Sequence, residues 1–234
     1  MFKKTILTAA LMTAAISSFA QQTTPVVPQN VVQLAASGTV EVQQDLLTIS
    51  MATTREGADA AAVQTQLKAA LDSALTEAKK AAQPGQLDVR TGNFSLYPRY
   101  GKDGKITAWQ GTTELVLEGR DIARISATAG KIQTLTLGNV SFGLSREQRQ
   151  RVEADAQNQA IERFKARAAD IAKSFGFTAY TLREVAVIAN DQGFIPRPRM
   201  MAMEAKASMS DAAVPVEAGK TAVVVTVSGS VQLK

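Results

Sequence analysis

The stretch from Ser145 to Gly176 constrains this chain more than any other. Val152, Ala156, Ala160, Phe164, Ala168, Ile171, Ala172 and Phe175 recur at intervals of three or four residues, so on a helix they share one side. Ser145 offers an N-cap oxygen, and Gln148 three residues later completes the spacing of a capping box. Gly176 can take the left-handed conformation that ends a helix. The spacing predicts a long helix over 146–175, roughly 45 Å at 1.5 Å per residue. Arg149, Arg151, Glu153, Asp155, Glu162, Arg163, Lys165 and Arg167 fall on its other faces. Both signs are mixed, which fits a solvated face and not a nucleic-acid stripe. The apolar stripe needs a partner surface, and strand-forming segments on either side supply one.

Val40 and Val42 alternate with polar residues, and Leu47, Ile49 and Met51 form a second alternating set offset by one. The slip near Asp45-Leu46 is a bulge or a change of neighbour. Gly57 to Asp59 introduces a helix whose buried face is Val63, Leu67, Ala70, Leu71, Ala74, Leu75 and Ala78, ended by Pro84-Gly85. Leu87, Val89, Phe94 and Leu96 mark a strand interrupted at Gly92-Asn93. Lys102-Asp103-Gly104-Lys105 reads as a hairpin turn with positive φ at both Asp103 and Gly104, and Ile106 to Glu118 returns as a strand. Asp121 caps a short helix with Ile122, Ile125, Ala129 and Ile132. Leu135 and Leu137 fit a connector or a strand start, and Asn139 to Leu144 is a short strand. Tyr180 to Ile188 is another. Thr221 to Leu233 is apolar on both faces, as an interior strand is. The order implies an α/β (α+β) fold: two modules of mixed β-sheets packed by helices.

The N-terminus carries a processing signal. Lys3 and Lys4 precede the apolar run Thr5 to Ile16, and Ser18-Phe19-Ala20 has the small-x-small pattern of a cleavage site. Residues 1–20 are expected to be a signal peptide cut after Ala20. Residues 21–30, with Pro25 and Pro28, form a flexible extension, and the folded domain spans 31–234 with a loop insertion at 190–219. The expected address is the bacterial periplasm, with association to the outer membrane left open.

The chain has no cysteine and no histidine. Disulfides and thiol catalysis are therefore excluded, as are the usual neutral-pH base and the commonest metal ligand. No serine-x-x-lysine opens a helix, Asp121 is explained as a cap, and Gly101 to Gly104 lacks the lysine and hydroxyl of a phosphate loop. These residues assemble no catalytic constellation and imply no cofactor, so the expected protein is non-enzymatic. Two surfaces remain. Tyr97, Tyr100 and Trp109 concentrate aromatic area near the hairpin tip, which suits a homo-oligomer interface. Arg197, Arg199, Met200, Met201 and Met203 form a basic, methionine-rich loop for another envelope protein or an anionic membrane surface. Its thioethers also allow monovalent copper, although methionine serves equally to fill irregular contacts.

A series of motifs runs along the chain: Ser37-Gly38-Thr39-Val40-Glu41-Val42, the alanine-rich first helix, and Leu96-Tyr97-Pro98-Arg99-Tyr100. Thr107 to Val116 followed by Asp121-Ile122-Ala123 comes next, then Val140-Ser141-Phe142-Gly143-Leu144-Ser145 before the long helix. In the order and spacing of these motifs the chain resembles the SIMPL-domain family of bacterial envelope proteins. Gln44-Asp45 stands where many members have proline-aspartate. The resemblance implies secretion, a two-part α/β fold, a tendency to form rings and a link to oxidative stress. It implies no established activity and no catalytic residues. A periplasmic ligand- or client-binding role is the alternative to self-assembly.

Overall fold

The computed structural model describes residues 29–190 and 213–234. Strands β1 (Val31–Gln43) and β2 (Leu46–Gly57) are followed by helix α1 (Ala60–Ala81) and the hairpin β3 (Asp88–Tyr100) and β4 (Ile106–Gly119). Helix α2 (Ile122–Lys131), β5 (Thr136–Gly143), helix α3 (Arg146–Ser174), β6 (Tyr180–Asn190) and β7 (Lys220–Leu233) complete the order.

The slip at Asp45-Leu46 is a change of neighbour. β1 belongs to a three-stranded sheet ordered β1-β7-β6, and β2 to a four-stranded sheet ordered β3-β4-β2-β5. The fold is α+β, but the expected mixed sheets are not found, because every pairing is antiparallel. The topology gives the reason. α1 joins β2 to β3 and α2 joins β4 to β5, and each of these parallel pairs has one strand inserted between its members. This is the split β-α-β-β-α-β arrangement of ferredoxin-like domains.

One face of the four-stranded sheet is buried. Leu47, Ile49 and Met51 of β2 and Leu115 and Leu117 of β4 lie against Ala70, Ala74 and Ala78 of α1 and Ile125 and Ala129 of α2. The α1 cap is Asp59, whose Oδ1 accepts from the Ala62 N–H at 2.7 Å, and Lys79 and Lys80 sit in its last turn against the negative end of the helix dipole. Asp121 caps α2, accepting from the Arg124 N–H at 2.9 Å and from Arg124 Nε at 2.9 Å. The backbone N–H first, and the guanidinium after it, hold the Asp121 carboxyl below its ordinary range. The opposite face of the sheet is polar. Thr48 donates to Glu118 at 3.1 Å and Thr54 bonds Thr112 at 3.0 Å.

The three-stranded sheet has one helix. The α3 residues Ala160, Phe164, Ala168 and Ala172 pack on Leu34 of β1 and on Val227, Val231 and Leu233 of β7. A Cβ built on Gly38 would lie 1.9 Å from Ala156 O and 2.8 Å from Ala160 N. The helix backbone therefore rests on β1 there, and the alanine stripe exists to permit that approach. The expected helix is present with Ser145 as N-cap, its Oγ accepting from the Gln148 N–H at 3.2 Å. Gly176 ends it with φ of 81°. Phe175 is a correction: it is the C-cap, 69% exposed, and not part of the buried stripe. The helical period continues on paper for one residue after the chain has left the helix.

One further expectation changes. At the hairpin turn only Gly104 has positive φ, at 75°. The Gly104 N–H donates to Gly101 O at 3.0 Å, and the Gly101 N–H donates to Lys105 O at 2.8 Å. Asp103 stays in the right-handed half of the map because a turn over 101–104 with one left-handed glycine closes this loop. Of the expected 190–219 insertion, residues 191–212 lie outside the described residues, and residues 213–219 run against the four-stranded module. The Val214 N–H donates to Ser126 O at 3.3 Å, the Ser126 hydroxyl donates back to Val214 O, and Val214 and Val216 pack on the core. Strand β7 is central in its sheet, as its two apolar faces imply.

Candidate functional site

The aromatic residues singled out at the hairpin tip do not form one cluster. Pro98 is paired with Trp109, and Tyr97 with Gln110. Directly opposed residues share a face and successive residues alternate, so Tyr97 and Trp109 lie on opposite faces. Trp109 also pairs with Gly57 and is half-buried. Tyr97 is 66% exposed and Tyr100 65%. Phe94 and Ile106 add exposed apolar surface along the same two arms. The Tyr97 face is otherwise polar: Arg99 Nη1 lies 3.4 Å from Glu56 Oε2 and 3.5 Å from Gln110 Oε1. The arms thus present two exposed tyrosines and a partly covered tryptophan near a wet, lysine-bearing tip.

Asp45, between β1 and β2, is a residue that sequence reasoning did not single out as functional. Its Oδ1 accepts from the Ser145 N–H at 2.7 Å and its Oδ2 from the Ser145 hydroxyl at 2.6 Å. It takes the reciprocal part assigned above to Gln148. Gln44 lies beside it, its N–H donating to Gly219 O at 2.9 Å and its Nε2 to Phe142 O at 3.0 Å. These two residues tie together the chain crossings between the sheets and the start of α3. An acidic residue between two alternating sets was the available signal, but its partner lies a hundred positions away.

The three-stranded sheet carries a shallow trough of about 480 Å³ on the face away from α3, with Gln33, Ala35, Glu184, Ala186, Ser228 and Ser230 among its lining residues. The two edges of that sheet differ. Along β1, Arg163 Nη1 donates to Ser37 O at 2.7 Å and Arg167 Nη1 to Ala35 O at 3.2 Å. Along β6, every residue from Thr181 to Ala189 is exposed.

The leader 1–20, most of the extension, and Arg197, Arg199, Met200, Met201 and Met203 lie outside the described residues. Among the described residues, no helix is long and apolar enough to cross a membrane. No group of three or more acidic side chains is placed there to hold a metal ion. A comparison with curated proteins returns no match. The family model SIMPL, described as a protein of unknown function (DUF541), matches residues 32–231, and the chain belongs to that family.

Proposed function

We propose that this chain is a non-enzymatic, exported cell-envelope protein that works by self-association, with the β3-β4 hairpin as a contact. The observation that carries the reading is the exposure of Tyr97 and Tyr100 on the same arm as Phe94. Large aromatic side chains left in water gain most from an interface, and they are enriched in interface cores. Two exposed tyrosines leave the module's own core untouched, so their placement serves something outside it. A role in envelope or oxidative stress is part of this reading through the family.

Light scattering of the mature chain at micromolar concentration tests it, with a Tyr97→Asp/Tyr100→Asp double variant alongside. Both side chains are exposed, so the variant is expected to fold, as far-ultraviolet circular dichroism would report. The wild type is expected to be an oligomer and the variant to shift toward monomer. A monomeric wild type ends the reading, and an unchanged variant removes the hairpin from the contact. The trough on the three-stranded sheet supports the second reading, a ligand or client binder. It predicts a monomer whose thermal midpoint rises with an extended peptide ligand.

A further inference from the structure

Four strands form the edges of the two sheets. A free edge presents unpaired N–H and C=O groups, and proteins protect it with charge, proline, bulges or a covering element. β3 carries Pro98 and an irregularity between Thr91 and Phe94. β5 is short, and its pairing with β2 shifts between Ser50 and Met51. β1 has two carbonyls engaged by Arg163 and Arg167. β6 is irregular between Leu182 and Glu184, but beyond that point it is bare among the described residues. Val185-Ala186-Val187-Ile188-Ala189 is uncharged, β-forming, free of proline and exposed along its whole length. Such a segment on an open edge is a template for another strand.

Its side chains point the same way. Val185 pairs with Gly229, Val187 with Val227, and Leu182 with Val231. These β6 residues therefore share the face that α3 covers over β7. α3 reaches β6 at Tyr180, whose hydroxyl donates to Lys165 O at 3.4 Å. Farther along, Leu182, Val185 and Val187 are each about half exposed, as is Ile188 on the other face. Arg183, the cation best placed to guard the strand, is turned back onto β7, its Nη1 3.5 Å from Gln232 Oε1.

We infer that the free edge of β6 pairs antiparallel with β6 of a second copy of this chain, joining the two three-stranded sheets into one of six strands. The inference rests on the self-association proposed above and gives it a second, separate surface. The residues fit their own copy. A two-fold axis normal to the sheet keeps each face on its own side, so the axis falls on a residue and pairs like parity with like. With the axis on Val187, Val187 meets its copy, Val185 meets Ala189 and Ala186 meets Ile188. Each large side chain other than the central valine thereby opposes a small one. Glu184 and its copy fall at opposite ends of the ladder, roughly 20 Å apart at 3.4 Å per residue, so no like charges meet. With the axis on Ala186, Val185 meets Val187 and the two Glu184 residues still stay apart.

The absence of cysteine makes the test direct. Single cysteines at Val185, Ala186, Val187 and Ile188, with Thr39→Cys on the β1 edge as control, are oxidised mildly at micromolar concentration. Disulfide geometry demands Cβ atoms about 4 Å apart. The expected result is a covalent dimer at the residue on the axis, falling at its neighbours and absent for Thr39→Cys. A Val187→Lys variant is expected to keep its circular dichroism and raise the dimer dissociation constant at least tenfold. An oligomer that shows no crosslink on β6 and is unmoved by Val187→Lys overturns this inference and leaves the self-association reading standing. A wild type that stays monomeric overturns both. A different protein seated on β6 of a monomeric chain also overturns the inference.

Discussion

The two edges of the three-stranded sheet are made from similar material and finished differently. β1 and β6 both flank β7, and both carry long apolar stretches. On the β1 side, α3 lies close enough for its backbone to touch Gly38, and Arg163 and Arg167 reach over the strand to take its outward carbonyls. On the β6 side, the same helix meets the strand at Tyr180 and leaves Val185 to Ala189 in water. The outer strands β1 and β6 lie about 9.6 Å apart, two spacings of about 4.8 Å, and α3, about 10 Å wide, is seated over β1 and β7 instead of over the middle of the sheet. Seated there, α3 leaves the β6 flank open among the described residues, and that flank is the one without an engaged guarding charge. The four-stranded sheet has two helices over its buried face and closes it more fully. Edge protection in this chain is thus a matter of where α3 and its arginines sit.

The largest effect is expected at Gly38. Any side chain there must displace the Ala156 carbonyl, which is backbone and cannot swing aside. Gly38→Val should destabilise the protein by about 3 kcal/mol, at the upper end of overpacking costs, in urea unfolding followed by circular dichroism. A loss within 0.5 kcal/mol would mean that α3 does not rest on β1, and the contrast between the edges would lose its cause.

This contact also shows what a single sequence reveals. The helix was legible because its signals are local: the alanine period, Ser145 and Gly176 all lie within the segment they define. So were the elements of the split β-α-β unit and the parity slip after Gln43. What those elements pair with was not legible. Alternation at 40–42 and 47–51 looks the same whether the chain bulges or crosses to another sheet, because the difference lies in strands contributed by distant residues. Asp45 has the same difficulty, since nothing near it announces Ser145. Arg163 and Arg167 read as part of a solvated face, and their use at Ser37 and Ala35 appears only once α3 is placed on β1. The hairpin aromatics were grouped by proximity in sequence, whereas the pairing of Pro98 with Trp109 separates Tyr97 onto the other face. β6 is the instructive case. By the two-faced criterion that identifies β7 as central, Val185 to Ala189 also reads as interior, yet it forms an edge. Periodicity registers a need for burial and does not say whether this chain supplies the cover.

A second prediction removes the guard from β1. Arg163→Ala with Arg167→Ala should cost about 1 kcal/mol of stability, since two exposed hydrogen bonds to main-chain carbonyls are lost. Its main effect should be on association: with both edges bare, the apparent mass by light scattering should rise beyond that of the wild type and increase with concentration. A folded double variant with an unaltered mass would show that the arginines do not protect the edge.

The smallest expected effect is the sharpest test of the difference, because it uses two valines on one face of one ladder. Val187 of β6 is paired with Val227 of β7. Val227 lies beneath α3 at 1% exposure, and Val187 is 47% exposed. Threonine has nearly the shape of valine and adds a hydroxyl. At Val227 that hydroxyl enters an apolar cluster, and Val227→Thr should cost about 2 kcal/mol. At Val187 the hydroxyl faces water, so Val187→Thr should fall within about 0.5 kcal/mol of wild type in dilute solution. Unfolding each variant at low and at high protein concentration separates the monomer from any assembly. If Val187→Thr is neutral when dilute and becomes costly as concentration rises, the strand is being buried by another copy. If it is neutral throughout, β6 is a solvated edge. If it costs as much as Val227→Thr even when dilute, a cover from within the chain already lies on β6, and the two edges are less different than their described residues imply.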